Sequence, residues 1–336
     1  MKFFHLSDLH IGIKLYNRDL LEDQKIVLRQ IVEQAGKECP DAIVIAGDIY
    51  DKAIPSVEAV GVFDQFVRSL RRTVPDAVIM MISGNHDSAP RVNLYRNILE
   101  EQKIYMVGMP PQRPEEQIEK VTLQDAWGNV NFYLLPFVKP SMVKTVVGTG
   151  ENGNLLSYQE SLRRMMEREQ IREEERNVCV SHQFYLPVGT GAEQVQRMDS
   201  EICTVGNIDQ VSAEILKKFD YSALGHIHKP MKVGGDRIWY CGTPMQYSVS
   251  EAGQKKAILM VELKEKGTYS VTPIPLNAPH EVRIIKGKLN EILKQECEDY
   301  VSVLLTDRMD LDICDMQDRL YTAFPNLLEI RREQWD

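Results

Sequence analysis

Five short segments, each following a run of apolar residues, carry five of the seven histidines in this chain. They are Ser7-Asp8-Leu9-His10, Gly47-Asp48-Ile49-Tyr50-Asp51, Gly84-Asn85-His86-Asp87, Ser181-His182 and Gly225-His226-Ile227-His228. Open α/β sheets gather ligands where strands end and the chain turns, because side chains from several strands converge there. A chain with this pattern therefore has to place all five strand ends at one edge of its fold.

The apolar runs Phe3 to Ser7, Ala42 to Ala46 and Val78 to Ser83 alternate with two amphipathic helical patterns, Leu20 to Ala35 and Val57 to Leu70. That alternation marks βα units. Further strands are expected at Val130 to Phe137, Val178 to Ser181, Tyr221 to Leu224, Arg237 to Cys241, Ala257 to Leu263 and Tyr269 to Ile274. The later ones follow one another without long helices, which predicts hairpins and a more antiparallel second half. The fold class is α/β: a two-sheet β-sandwich flanked by helices. Met109 to Pro114 and Val147 to Asn154 are expected loops, and the dense charges of Arg163 to Arg176 a solvated helix face. Around Pro273, Pro275 and Pro279 the pattern changes to strand Val282 to Ile285, helix Leu289 to Cys297, strand Tyr300 to Leu305, helix Ile313 to Phe324 and strand Leu327 to Ile330. This predicts two domains, residues 1–276 and a small α/β domain at 277–336.

The donor types narrow the chemistry. Asp8 and His10, two apart in an extended segment, would point to the same side and grip one cation, and His226 and His228 share that spacing. Imidazole, carboxylate and one amide oxygen without thiolate suit Mn²⁺, Fe²⁺ or Zn²⁺ better than Ca²⁺ or Mg²⁺. One ion would use four to six of these groups, so the surplus predicts two ions ~3.5–4 Å apart, with Asp48 as the bridging carboxylate. The six cysteines form no CxxC pair and are expected to be inert structural residues, as are His5 and His280.

Composition sets limits on partners. Forty-nine acids against 40 bases give a formal charge of −9, so no global basic field holds nucleic acid to this chain. No apolar run approaches the ~20 residues of a membrane helix. The N-terminus, with His5 and Asp8 in or beside its first strand, does not read as a signal peptide, and a cytoplasmic location is expected.

At this point the residues resemble the calcineurin-like metallophosphoesterases, and within them the SbcD exonuclease subunits of DNA repair. The branch-specific features are Leu20-Leu21-Glu22-Asp23-Gln24, the extension Asp51-Lys52-Ala53-Ile54-Pro55, Ser88 after the third motif, Asp220-Tyr221-Ser222-Ala223-Leu224 before the last, and Gly242-Thr243-Pro244-Met245-Gln246-Tyr247-Ser248. The resemblance implies one ion held by Asp8, His10, Asp48 and His228 and a second by Asp48, Asn85, His182 and His226, with manganese the expected metal. It makes His86 the mobile imidazole beside the site, oriented by Asp87 or Asp51. It implies a nuclease acting on double-stranded ends and on single strands or hairpins, a homodimer formed by the helices after the second and third motifs, and an SbcC-type ATPase partner. The small C-terminal domain resembles the DNA-capping domain of that branch. Lys14, Arg18, Lys52, Arg91 and Arg96, near the motif loops, are the candidate phosphate contacts. The rival reading is another calcineurin-like phosphoesterase acting on a nucleotide, a cyclic nucleotide or a phosphoprotein. A non-enzymatic scaffold would predict eroded ligands, and no ligand is missing.

Overall fold

A computed structural model describes residues 1–94, 96–187, 189, 209–307 and 313–333. Two six-stranded sheets face each other. The first runs in the order Tyr269–Leu276, Lys256–Leu263, Lys2–Leu6, Ala42–Ala46, Val78–Ile82, Ile104–Val107; the second runs Met231–Lys232, Ile238–Tyr240, Tyr221–Leu224, Arg176–Ser181, Gly128–Leu135, Glu119–Asp125. The inner strands Lys2–Leu6, Ala42–Ala46 and Val78–Ile82 of the first sheet are buried on both faces, which is why they read as largely apolar runs. Phe3, Val44 and Met80 point into the layer between the sheets, with Phe132, Val178 and Tyr221 opposite. Their neighbours Phe4, Ile43, Ile45 and Ile79 point the other way, onto helices α1 (Leu21–Glu38) and α2 (Val57–Thr73).

Helix α2 begins at Ser56, whose hydroxyl accepts from the Ala59 N–H at 3.2 Å, and ends with Arg71 and Arg72 near its negative dipole end. Its apolar stripe divides. Ala59, Val62, Phe63, Phe66 and Leu70 are buried, whereas Val57 and Val60 face solvent.

Three expectations are corrected. The second sheet is parallel at its centre: Gly128–Leu135, Arg176–Ser181, Tyr221–Leu224 and Ile238–Tyr240 all run one way, and only the edge strands are antiparallel. The hairpin Lys256–Leu263/Tyr269–Leu276 instead returns to the first sheet beside Lys2–Leu6. Second, the segment Arg163 to Arg176 is no single helix face. The helix Tyr158–Arg168 buries Met165 and Met166, and Arg176 opens a strand as a buried guanidinium gripping both oxygens of Asp125, at 2.5 and 3.0 Å. Third, helix Leu289–Ile292 is a single turn, closed by i→i+3 bonds from Lys294 and Gln295.

The C-terminal sheet, Val282–Gly287, Tyr300–Leu305 and Leu327–Arg332, is wholly parallel. It has its own core around Ile292, Val301, Val303, Leu320 and Phe324. Val282 and Tyr300 pack into the α1–α2 core instead, so the C-terminal sheet is seated against that helical layer. Cys179 and Cys241 are buried, Cys297 is half-buried and Cys39 exposed; Cys203 lies outside the described residues. His5 is structural, bonded through its ring to Tyr221 and the Leu224 carbonyl.

Candidate metal centre

All five motifs do converge. Asp8, His10, Asp48, His182, His226 and His228 are buried, and Asn85 and His86 are half-buried at the rim. Getting them there takes unusual backbone. Asp8, His10, Asp48 and His226 adopt positive φ of 51°, 41°, 50° and 102°, where a Cβ crowds its own main chain. Strain of this sort persists only where surrounding structure over-determines it. Asp8 and His10 are thus brought together by tight turns, and the extended-strand pincer expected from their spacing is not the reason. His226 and His228 diverge, His226 toward Asn85 and His228 toward His10. Two glycines make room. A Cβ on Gly47 would sit 2.2 Å from the His182 ring, and one on Gly84 2.1 Å from the Asp48 carboxylate.

The ring nitrogens and oxygens of this cluster are turned toward one another. His182 Nδ1 donates to the Ala46 carbonyl at 2.7 Å, which fixes a proton there and turns Nε2 inward. That nitrogen faces Asp48 Oδ2 at 3.1 Å and Asn85 Oδ1 at 3.0 Å, both acceptors. His226 Nδ1 meets the same Asn85 oxygen at 2.9 Å. On the other side, His10 Nε2 and His228 Nε2 face each other at 3.1 Å, with Asp48 Oδ2 3.6 Å from His10. Donor atoms of Asp8, His10 and His228, and of Asp8, Asp48 and His182, lie within 4.8 Å of one another. Lone pairs converging on lone pairs need protons or cations between them, and two divalent cations sharing Asp48 fit this donor set.

The electrostatics have the same cause. Burial pushes Asp48 up, but the imidazoles of His182, His10 and His86 outweigh it and hold the carboxyl well below its usual range. Burial pulls His182 down, and Asp48 and Asp8 overcome that to raise it to about 9. Asp8, with burial dominant, is pushed up, and His10 is driven well below its ordinary value by burial.

His86 Nδ1 donates to the Asp51 backbone carbonyl at 2.8 Å, and its ring stands edge-on to His10 at 4.6 Å. Its Nε2 is therefore the atom that can exchange a proton. The orienting group is the main chain of Asp51. The Asp51 carboxylate lies 3.9 Å from His10 Nδ1 instead, and burial raises it. Asp87 does not orient His86 through its carboxylate. Its two oxygens accept from the N–H groups of Ile49, Tyr50 and Gly84 at 2.9–3.0 Å, tying the second motif to the third. Burial and the nearby Asp48 charge push it to about 6.

The family model for calcineurin-like phosphoesterases matches residues 1–230. The chain belongs to the calcineurin-like phosphoesterases. Members of this family are metal-dependent phosphoester hydrolases, and this chain is an enzyme of that class. The SbcD component of the nuclease SbcCD from Staphylococcus epidermidis is 30% identical over 344 aligned residues, spanning 100% of this chain and 86% of that protein. Among solved structures, a dimetal phosphatase from Danio rerio aligns with 82% of this chain and 96% of its own, at 14% identity and a TM-score of 0.44. The inner-membrane-complex anchor GAP50 of Plasmodium aligns with 99% and 97%, at 11% identity and 0.40.

In this calcineurin-like chain the expected phosphate contacts are not equivalent. Lys14, Lys52 and Arg91 are exposed, but Arg18 donates to the Pro325 carbonyl at 2.7 Å and Arg96 pairs with Glu119 at 2.8 Å. Sequence reasoning also missed the groups that hold the motif loops. Glu251, fully buried, lies 3.5 Å from His228 Nδ1 and binds Lys256 at 2.6 Å, Thr243 at 3.0 Å and Ser248 at 3.1 Å. Burial would raise this carboxyl, yet His228 and Lys256 hold it at about 2. A carboxylate behind a histidine fixes its tautomer and leaves the far nitrogen for a metal. No local pattern marks Glu251; only its place in the Gly242–Ser248 neighbourhood could have drawn attention to it. Among the described residues no helix is long and apolar enough to cross a membrane.

Proposed function

We propose that this phosphoesterase is a DNA nuclease that hydrolyses phosphodiesters with two divalent cations, the first held by Asp8, His10, Asp48 and His228 and the second by Asp48, Asn85, His182 and His226. When bound, the cations would supply Lewis-acid stabilisation of the phosphoryl oxygens and a lowered pKa for water. The chain's own part is positioning. The Asp48 carboxylate sits between the two imidazole groups, the Ala46 carbonyl and Glu251 set the tautomers of His182 and His228, and His86 Nε2 offers a proton to the leaving oxygen. Manganese is the native metal in this reading, with iron or zinc compatible with the same donors.

The observation that carries the proposal is the convergence of Asp8, His10, Asp48, His182 and His228, with Asn85 and His226 beside them, within a chain whose full length is similar to an SbcCD nuclease component. In the same reading the enzyme is cytoplasmic and works as a homodimer with an SbcC-type ATPase. That ATPase supplies much of the DNA grip that a chain of charge −9 lacks. The exposed Ile54, Val57, Val60, Leu94 and Ile98 after the second and third motifs support the dimer face. Residues 277–336 are the DNA-capping domain, and Lys14, Lys52 and Arg91 are the freer phosphate contacts.

The test is incubation with Mn²⁺ and end-labelled duplex DNA, with an aryl phosphodiester in parallel and Asp48→Ala as control. Cleavage of both substrates, lost in the variant, is the expected result. Hydrolysis of the aryl diester alone, even with the ATPase present, would move the assignment to a nucleotide, cyclic-nucleotide or phosphoprotein substrate.

A further inference from the structure

The first turn of α1 carries two adjacent buried polar residues that face different partners. Gln24 holds the loop bearing His10. Its amide nitrogen lies 3.1 Å from the Leu9 carbonyl and 2.9 Å from the His10 carbonyl, and its oxygen accepts from the Gly12 N–H at 2.9 Å. Asp23 holds the C-terminal domain. Its carboxylate is 2.9 and 3.1 Å from His280 Nδ1 and accepts from the Tyr300 hydroxyl at 3.2 Å.

The same division recurs at Gln246 and Tyr247. Gln246 Oε1 accepts from the Val282 N–H at 2.5 Å, on the first strand of the C-terminal domain. The Tyr247 hydroxyl donates to the Leu9 carbonyl at 2.6 Å and lies 3.1 Å from the Gln24 amide nitrogen, and its ring stands edge-on to His10. Two neighbouring pairs therefore each put one residue on the small domain and one on the loop. The pairs meet at Gln24–Tyr247. The loop they hold is the one in which Asp8 and His10 keep positive φ, a conformation that relaxes unless its surroundings hold it.

We infer that Asp23–Gln24 and Gln246–Tyr247 form a double strap through which the seating of the C-terminal domain positions the Leu9–Gly12 loop and with it the His10 imidazole. These four are positioning residues; none offers a donor to the cation cluster. Moving the domain tilts the first turn of α1 and the Gln246 loop together, and both contacts on the Leu9 and His10 carbonyls shift with them. A surface that closed on the small domain would change the metal loop without touching it. The metal consequence rests on the proposed cation reading, and the loop consequence does not.

The experiment uses the full chain. Hydrogen exchange of residues 9–13 is measured in the metal-free protein, and Mn²⁺ affinity by calorimetry, for wild type, His280→Ala/Tyr300→Phe, Gln24→Ala and the triple variant. Melting curves confirm that each is folded. The domain-side variant is expected to raise exchange at residues 9–13 and to weaken Mn²⁺ binding, each on the order of tenfold. Adding Gln24→Ala should then contribute little more, because both changes act on one strap. Faster exchange around residues 278–282 with residues 9–13 unchanged would overturn the inference, as would additive effects. If the double variant does not fold, Gln246→Ala is read in the same way. A wild type that takes up no Mn²⁺ would sink the cation reading while the exchange arm still decides the strap.

Discussion

The Asp48 cluster and the Glu251 network are both buried carboxylate sites, and they meet at His228, yet they are built differently. Around Glu251 every oxygen has donors: the Lys256 ammonium, the Thr243 and Ser248 hydroxyls and the His228 ring. Around Asp48, the His182 Nε2, the Asn85 oxygen and the two facing Nε2 atoms of His10 and His228 turn on one another with no fixed side-chain cation among them. The first is a closed ion pair whose function is support. The second is a set of acceptors suited to cations, and the contrast locates the chemistry without reference to any sequence motif.

The largest effect that could break this contrast is on turnover. Asp48→Ala removes the carboxylate proposed to be shared and should lower hydrolysis of an aryl phosphodiester by about three orders of magnitude or more, together with loss of calorimetric Mn²⁺ binding. Turnover within tenfold of wild type would contradict the shared role. His86→Ala comes next, with a loss of about 10²–10⁴ in kcat and Mn²⁺ stoichiometry unchanged, since its ring is bonded to the main chain of Asp51.

Glu251→Ala tests the other side. It strands the buried Lys256 ammonium and should destabilise the fold by about 3–5 kcal/mol in urea titration, while Glu251→Gln is milder. A neutral result would show that the network is not closed as described. The metal-free protein should also lose stability as pH rises. His182 is raised from 6.5 to about 9, so its contribution is full below pH 6.5 and disappears as pH passes about 9. Urea midpoints in EDTA should fall across that window, and added Mn²⁺ should remove the fall, because a cation takes the deprotonated Nε2. The smallest effect sets the baseline: Arg163→Ala, breaking the exposed pairs with Glu160 and Glu167, should leave the urea midpoint essentially where it is in the wild type.

Much of the frame is legible in the residues. Ala42–Ala46, Tyr221–Leu224 and Tyr300–Leu305 coincide with their apolar runs because each is a buried or nearly buried strand with an aspartate before it and a glycine or threonine after it. Glu119–Asp125 is hidden in the sequence because it is an edge strand, half exposed, with Lys120, Thr122 and Gln124 on its open face. The second sheet reads as antiparallel since its strands lie close in sequence, but direction depends on which neighbour a strand pairs with. Tyr221–Leu224 joins Arg176–Ser181 in parallel across about forty residues.

Sequence alone determined which groups this protein offers: carboxylates, imidazoles and an amide following five apolar runs, with glycines at Gly47 and Gly84 beside them. Those are local properties, carried by residue type and spacing. The tertiary structure decided how the groups face one another: the positive φ of Asp8, His10 and Asp48, the separation of His226 from His228, the turn of Asp87 away from His86, and the support from Glu251, Gln24 and Tyr247. Hydrogen bonds and ion pairs depend on ångström distances between segments as distant in the chain as Leu9 and Tyr247, 238 residues apart, and no spacing within one segment encodes them.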